Sequence, residues 1–203
     1  MTASSERSGW ATDIRSILRR AIAVHGANLL SVSRFILAGL WLCAFHSGYG
    51  PGILGPVSLA SAASDFFDGR VARWTESVDT FGRWLDSFAD VAFVLTVLVC
   101  EAHAGAIAAY LPVLIAASFS QYALDSTMIS QSSAPVRSRL GHWGGVINFA
   151  LAIALSVKLV SSLLARLIKE LSPFLALFYL AAMFERAIHY VPLAAAGKSR
   201  PAH

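Results

Sequence analysis

Charge is what this chain has least of. Only 14% of its 203 residues are Asp, Glu, Lys or Arg, where a water-soluble domain carries about 25%. With 56% hydrophobic residues and a mean hydropathy of +0.61, this excludes an ordinary soluble globule and points to a protein built for a bilayer. Cysteine is almost as scarce. Cys43 and Cys100 each stand in an apolar run with no spacing motif, which excludes a disulfide framework or a thiolate metal site and leaves packed side chains. The start of the chain lacks the form of a leader peptide: a mixed-charge stretch of more than twenty residues precedes the first apolar run, so no cleavage is expected. Internal repeats and interdomain linkers are missing too. Residues 1–27 read as an N-terminal segment, 28–192 as one helical body and 193–203 as a disordered tail.

What is present is a series of apolar runs long enough to cross a bilayer, for which roughly 20 residues are needed. Six appear: Leu29–Ser47, Ile53–Ala72, Arg83–Ala102, Ala106–Met128, Leu140–Val160 and Pro173–Val191. "HSGYGPG" and "EAHAG" between them read as turns. The expected fold class is an all-α integral membrane protein with six transmembrane helices. Residues 10–24 add an N-terminal amphipathic helix lying in the interface, with Trp10, Ile14, Ile17, Leu18, Ala21 and Val24 on one face. With the N-terminus in the cytoplasm, 13 of the 16 Lys and Arg residues fall on that side and only Lys158, Arg166 and Lys169 on the other. This is the positive-inside pattern. The net charge of +4 is therefore read as topology, not as a nucleic-acid surface. Both termini are expected on the cytoplasmic side of a multi-pass protein. Trp41, Trp74, Trp84 and Trp143 read as span packing or interfacial belts.

Against this background one stretch stands out. "SDFFDGRVARWTESVDTFGRWLDSFAD", Ser64 to Asp90, holds five aspartates. Asp79 falls in the loop. Asp65 and Asp68, at i and i+3, lie about 60° apart on a helix; Asp86 and Asp90, at i and i+4, about 40°. At ~1.5 Å per residue from helix ends at Arg73 and Gly82, Asp68 and Asp86 lie roughly 6–8 Å in, and Asp65 and Asp90 roughly 12 Å. Antiparallel neighbours would bring the four to one level. One such charge inside a membrane costs on the order of 3 kcal/mol, and like charges raise one another's pKa. Either some are protonated, as in a proton relay, or two divalent cations neutralise them. Carboxylates without His or Cys suit Mg²⁺ or Mn²⁺. Gly69, Ala72 and Gly82 leave room on the carboxylate face, and Arg73 can meet phosphate bidentately. Two metals, an arginine and small residues together suggest a diphosphate substrate and phosphoryl transfer.

The pattern Asp65-x2-Asp68-Gly69-x2-Ala72-Arg73-x8-Gly82-x3-Asp86-x3-Asp90 resembles the signature of the CDP-alcohol phosphotransferases (CDP-alcohol phosphatidyltransferases) at every fixed position and spacing. "NLLSVSR", Asn28 to Arg34, resembles the Asn-x2-[Ser/Thr]-x2-Arg stretch that often opens the first span of that family; alone it could be a helix N-cap at Asn28 with Arg34 snorkelling. The resemblance implies transfer of a phosphatidyl-type group from a CDP-linked lipid to an alcohol, with release of CMP. It implies that Asp65, Asp68, Asp86 and Asp90 hold the two cations. It places Asn28, Gly69, Ala72, Arg73 and Gly82 along the CDP pocket, makes Asp90 the general base, and puts the site on the cytoplasmic side. Relatives are often homodimers, though no interface motif is evident here.

The acceptor is read from the loop "SQSSAPVRSRLGHWGG". Arg137 and Arg139 would suit an acceptor that bears a phosphate, such as glycerol 3-phosphate or inositol phosphate; both could equally be positive-inside determinants. His142 reads as an interfacial histidine. Asp125 could bind a hydroxyl or cap its helix, and Gln121 and Asn148 could line the same cavity or bond neighbouring helices. Serine or an amino alcohol is the alternative acceptor. A proton or ion transporter is the alternative from another class. It would need polar residues continuing to the far side, and "ILGPVSLA" and "VAFVLTVLVC" offer none.

Overall fold

A computed structural model describes residue 26 and residues 28–75, 80–129, 139–157 and 161–195. Among the described residues the fold is all-helical, with no strand. The helices are α1 (Asn28–His46), α2 (Pro51–Thr75), α3 (Thr80–His103), α4 (Tyr110–Ile129), α5 (Arg139–Val157) and α6 (Ser161–Ala195). Each corresponds to one apolar run of the sequence. The interfacial helix read at residues 10–24 and the end of the tail lie outside the described residues.

The two turns read from glycine occur where expected. Gly48 and Gly105 have φ of 75° and 76°, a backbone region that favours glycine. After α1, Tyr49 N–H donates to the Ala44 carbonyl (3.0 Å) and Gly48 N–H to that of Phe45 (3.1 Å). After α3, Ala106 N–H donates to Glu101 (2.9 Å) and Gly105 N–H to Ala102 (3.0 Å). Both are Schellman caps, which satisfy the last carbonyls and stop the helix sharply. α2 restarts at once, with Gly50 accepting from Ile53 and Leu54 and Pro51 at the first helical position, where its missing N–H costs nothing.

The sixth helix departs from its expected start. It begins at Ser161, and Pro173 lies inside it. Proline withholds the bond that the Lys169 carbonyl would accept. One residue before, Ser172 Oγ donates to the Ile168 carbonyl at 3.0 Å, buried. Lys169 is exposed.

α3 is the central element. Ala89, Phe93, Val97 and their neighbours Val94 and Leu98 are buried, at the i, i+4, i+8 spacing of one helix face. α4 pairs most extensively with α6, and α2 with α5; α3 touches both pairs and shares little of its length with α2. At Gly55 a Cβ would meet Val157 Cγ2 at 3.3 Å, so the missing side chain lets α2 and α5 approach closely. Polar groups point inward: Ser58, Ser61, Ser156, Ser172, Arg34 and Glu101 are all buried. Large apolar side chains point outward, among them Phe174, Leu177 and Phe184 of α6 and Leu29 and Ile36 of α1. α1, and α6 over Arg166–Ile188, are long and apolar enough to cross a membrane.

A serine knot joins three helices. Trp41 Nε1–H donates to Ser156 Oγ at 3.0 Å, Ser58 Oγ donates to it at 2.7 Å, and Ser156 Oγ donates onward to the Ala152 carbonyl. Replacing Ser156 with Ala strands two buried donors, whereas Ser58→Ala removes one and leaves Trp41 bonded. In detergent unfolding, Ser156→Ala is expected to lose about 1–2 kcal/mol. Ser58→Ala should lose clearly less; the reverse order would contradict this hierarchy.

Candidate metal centre

Three helix segments meet at one end of the body. α1 brings Asn28 to Arg34, α2 brings Ser64 and Asp65, and α3 brings Gly82 to Asp90. Hydroxyl groups tie α1 to α2. Ser33 Oγ donates to the Leu30 carbonyl at 2.6 Å, Ser64 Oγ donates to the same carbonyl from α2 at 3.2 Å, and the two hydroxyls lie 3.3 Å apart. This fixes the height of Asp65, the next residue along α2.

Asp65, Asp86 and Asp90 then converge. One carboxylate oxygen from each lies within 4.8 Å of the others. Three of the four aspartates counted from the sequence, drawn from both helices, thus lie together. Asp68 lies in α2 three residues after Asp65, with its side chain outside the described part. Gly69, Ala72 and Arg73 continue the same helix, again without described side chains. Arg137 lies outside the described residues. Arg139 opens α5 and His142 follows in its first turn, and neither side chain is described.

A group that the sequence reading left unassigned sits in the middle. The Arg34 guanidinium donates through Nη1 to Asp90 Oδ1 and through Nη2 to Asp86 Oδ1. Nη1 is also 3.6 Å from Asp65 Oδ1. Arg34 does not snorkel: its side chain is 0% exposed, against 43% for Asp65, 39% for Asp86 and 27% for Asp90. The arginine backs the cluster from the protein interior, and the carboxylates open outward. The signal was available. Arg34 is six residues beyond Asn28, about 9 Å along the helix, between the two depths computed for the aspartates.

The donor set fits a hard divalent cation. It is all carboxylate oxygen, with no His or Cys in the cluster, which suits a hard cation such as Mg²⁺ or Mn²⁺ better than zinc. A carboxylate offers about four lone-pair sites, so one N–H bond from Arg34 does not exhaust its capacity to ligate.

Asn28 and Gly82 meet at the edge of this cluster. A Cβ on Gly82 would lie 2.8 Å from Asn28 Oδ1, so the bare glycine makes room for the asparagine amide.

A second polar group lies between α4 and α6. Arg186, 4% exposed, has Nη1 3.7 Å from Asp125 Oδ2 and its guanidinium 4.8 Å over the Tyr122 ring. Arg186 thus reaches across to the neighbouring helix. Gln121 Nε2 donates to the Met183 carbonyl at 3.0 Å, and Tyr179 O–H donates to Asn148 Oδ1. Gln121 and Asn148 bond neighbouring helices, one of the two roles their positions allowed. Trp84, Phe88, Phe119 and Tyr122 form a continuous aromatic contact between α3 and α4. Trp41 is fully buried and stacks on Phe45.

The family model described as CDP-alcohol phosphatidyltransferase matches residues 24–191, and the chain belongs to that family. It is a family of transferases of phosphate-containing groups, whose members are membrane proteins and generally depend on a divalent metal. No curated protein matches the chain.

The Asn28–Gly82 contact can be tested against transferase activity. Gly82→Ala is expected to cost little stability, because the Asn28 amide can rotate aside, but to lower activity about tenfold by displacing it. Asn28→Ala should do the same, and the double variant should be no worse than the weaker single, since both act through one contact. Full activity in Gly82→Ala would remove the contact from the site.

Proposed function

We propose that this member of the CDP-alcohol phosphatidyltransferase family makes phospholipid: it transfers a phosphatidyl-type group from a CDP-linked lipid, CDP-diacylglycerol being the expected donor, to an alcohol, and releases CMP. The observation that carries this reading is the convergence of Asp65, Asp86 and Asp90 from two helices, with oxygens within 4.8 Å of one another, inside the region that the family matches. The family supports the reaction class. The proposed acceptor, a polyol phosphate such as glycerol 3-phosphate or inositol phosphate, rests on Arg137 and Arg139 in the sequence.

The chemistry follows from the residues. A bond forms between the acceptor oxygen and the lipid-bearing phosphorus; the bond from that phosphorus to the bridging oxygen of CMP breaks. The acceptor hydroxyl is a weak nucleophile and needs a base within hydrogen-bond reach. Asp90 is assigned this role. Its carboxylate is 27% exposed, so a bound hydroxyl can reach it, and the proton passes to a carboxylate oxygen. Two divalent cations, Mg²⁺ or Mn²⁺, held by Asp65, Asp68, Asp86 and Asp90, would supply Lewis-acid charge opposite the diphosphate. Gly69, Ala72 and Gly82 leave space for the CDP moiety, Asn28 offers it an amide, and Arg73 bonds its phosphate.

The surroundings suit a lipid substrate. Many large apolar side chains are exposed on the outside of the helices, which suits contact with lipid, and six antiparallel spans are the reading we adopt. The basic residues put the carboxylate end at the cytoplasmic face. The nucleotide then stays wet while acyl chains stay in the bilayer. Association as a homodimer is proposed from the resemblance alone.

The direct test supplies CDP-diacylglycerol and Mg²⁺ with a panel of alcohols and measures CMP release. Release with a polyol phosphate is expected; no release with any acceptor would sink the reading. Asp90→Asn is expected to abolish turnover and leave CDP-lipid binding largely intact, whereas lost binding would make Asp90 a metal ligand only. Arg137→Ala combined with Arg139→Ala should remove activity toward phosphorylated acceptors; if activity survives, serine or an amino alcohol becomes the better acceptor.

A further inference from the structure

Arg34 is a charge in an unusual place. It comes from α1, which carries none of the aspartates, yet its guanidinium bonds Asp86 and Asp90 and lies 3.6 Å from Asp65. It is completely buried while those carboxylates are partly open. The charge balance of the site changes accordingly. With Asp68 counted from the sequence, four carboxylates against one guanidinium leave three negative charges. Two dications would then bring the site to one positive charge instead of neutrality, a surplus that favours an anionic diphosphate.

Two consequences follow from this geometry. First, a buried positive charge beside the carboxylates repels an incoming dication, so it lowers the affinity of the cluster for metal. Second, the planar fork of Arg spans two carboxylates at once. Asp86 and Asp90 sit one turn apart on α3, and a single guanidinium that bonds both holds them in a fixed relation to Asp65 on α2.

We propose that Arg34 is a positioning residue and the resident cation of the carboxylate cluster, setting the arrangement of Asp86 and Asp90 and attenuating the affinity of the site for divalent cations. This rests on the metal-binding reading of the aspartates given above. It separates metal affinity from turnover, because losing the charge tightens metal binding while losing the fork disorders the base. A residue that merely supports the fold would weaken both together.

The test uses the full-length chain in detergent micelles, without substrate, and follows Mn²⁺ binding by the loss of the free-ion electron paramagnetic resonance signal. CMP release at saturating Mn²⁺ is measured in parallel. Arg34→Gln is expected to bind Mn²⁺ at least about tenfold more tightly than the unaltered chain and to turn over at least about tenfold more slowly. Unchanged or weaker Mn²⁺ binding in that variant would overturn the proposal. Arg34→Lys keeps the charge and loses the fork. It should bind Mn²⁺ within about threefold of the unaltered chain and still turn over slowly. This variant decides the matter if Arg34→Gln does not fold: unaltered turnover, or a larger change in Mn²⁺ affinity, counts against the proposal. Failure of the unaltered chain to bind Mn²⁺ would instead remove the metal reading itself, and this inference with it.

Discussion

The rest of this structure depends on one electrostatic constraint, the gathering of carboxylates around a buried guanidinium at one end of the helical body. Unpaired, the fully buried Arg34 guanidinium would cost several kcal/mol. Together the charges are tolerable, but only if the helices that carry them arrive at one height. Asp65 on α2, Asp86 and Asp90 on α3, and Arg34 on α1 meet this condition. The serine bonds around the Leu30 carbonyl and the bare face of Gly82 against Asn28 read as local fittings that let the three helix ends close around it. The same rule recurs more quietly between α4 and α6, where Arg186 lies against Asp125 and over Tyr122.

Away from the charges, small polar groups cross an apolar core that includes Trp41, Phe93, Val97, Leu98 and Leu111. Ser156 accepts from Trp41 and Ser58 while donating to its own helix. Further large apolar side chains, such as Phe174, Leu177 and Phe184, are spread over the outside.

Much of this was legible from the sequence. The six helices followed from run length, and the two caps from glycine in "HSGYGPG" and "EAHAG". The start of α6 was not, because "SSLLARLIKEL" is too charged to resemble a span and Pro173 resembles a beginning. The aspartate cluster could be placed by counting residues, since helical rise converts sequence distance into depth. Arg34 was left without a role in the site for the opposite reason: an arginine near the end of an apolar run has a generic explanation in topology, and only its depth, matched to that of the aspartates, distinguishes it. The partners of Arg186 depend on how α4 and α6 lie together, which no local pattern encodes. Asp68, Arg73, Arg137 and Arg139 remain readings of the sequence.

The two Schellman caps carry a mechanical consequence. Each joins two helices through a short, stiff reversal, so α1 with α2 and α3 with α4 form two tweezers pinned at the end remote from the carboxylates. Asp65 belongs to one tweezer; Asp86 and Asp90 belong to the other. A helix of 24 residues is about 36 Å long, so a tilt of about 3° at the pinned end moves the far end by about 2 Å. The spacing of the acidic groups is thus a property of the angle between two levers, and the Arg34 side chain is a strut between them.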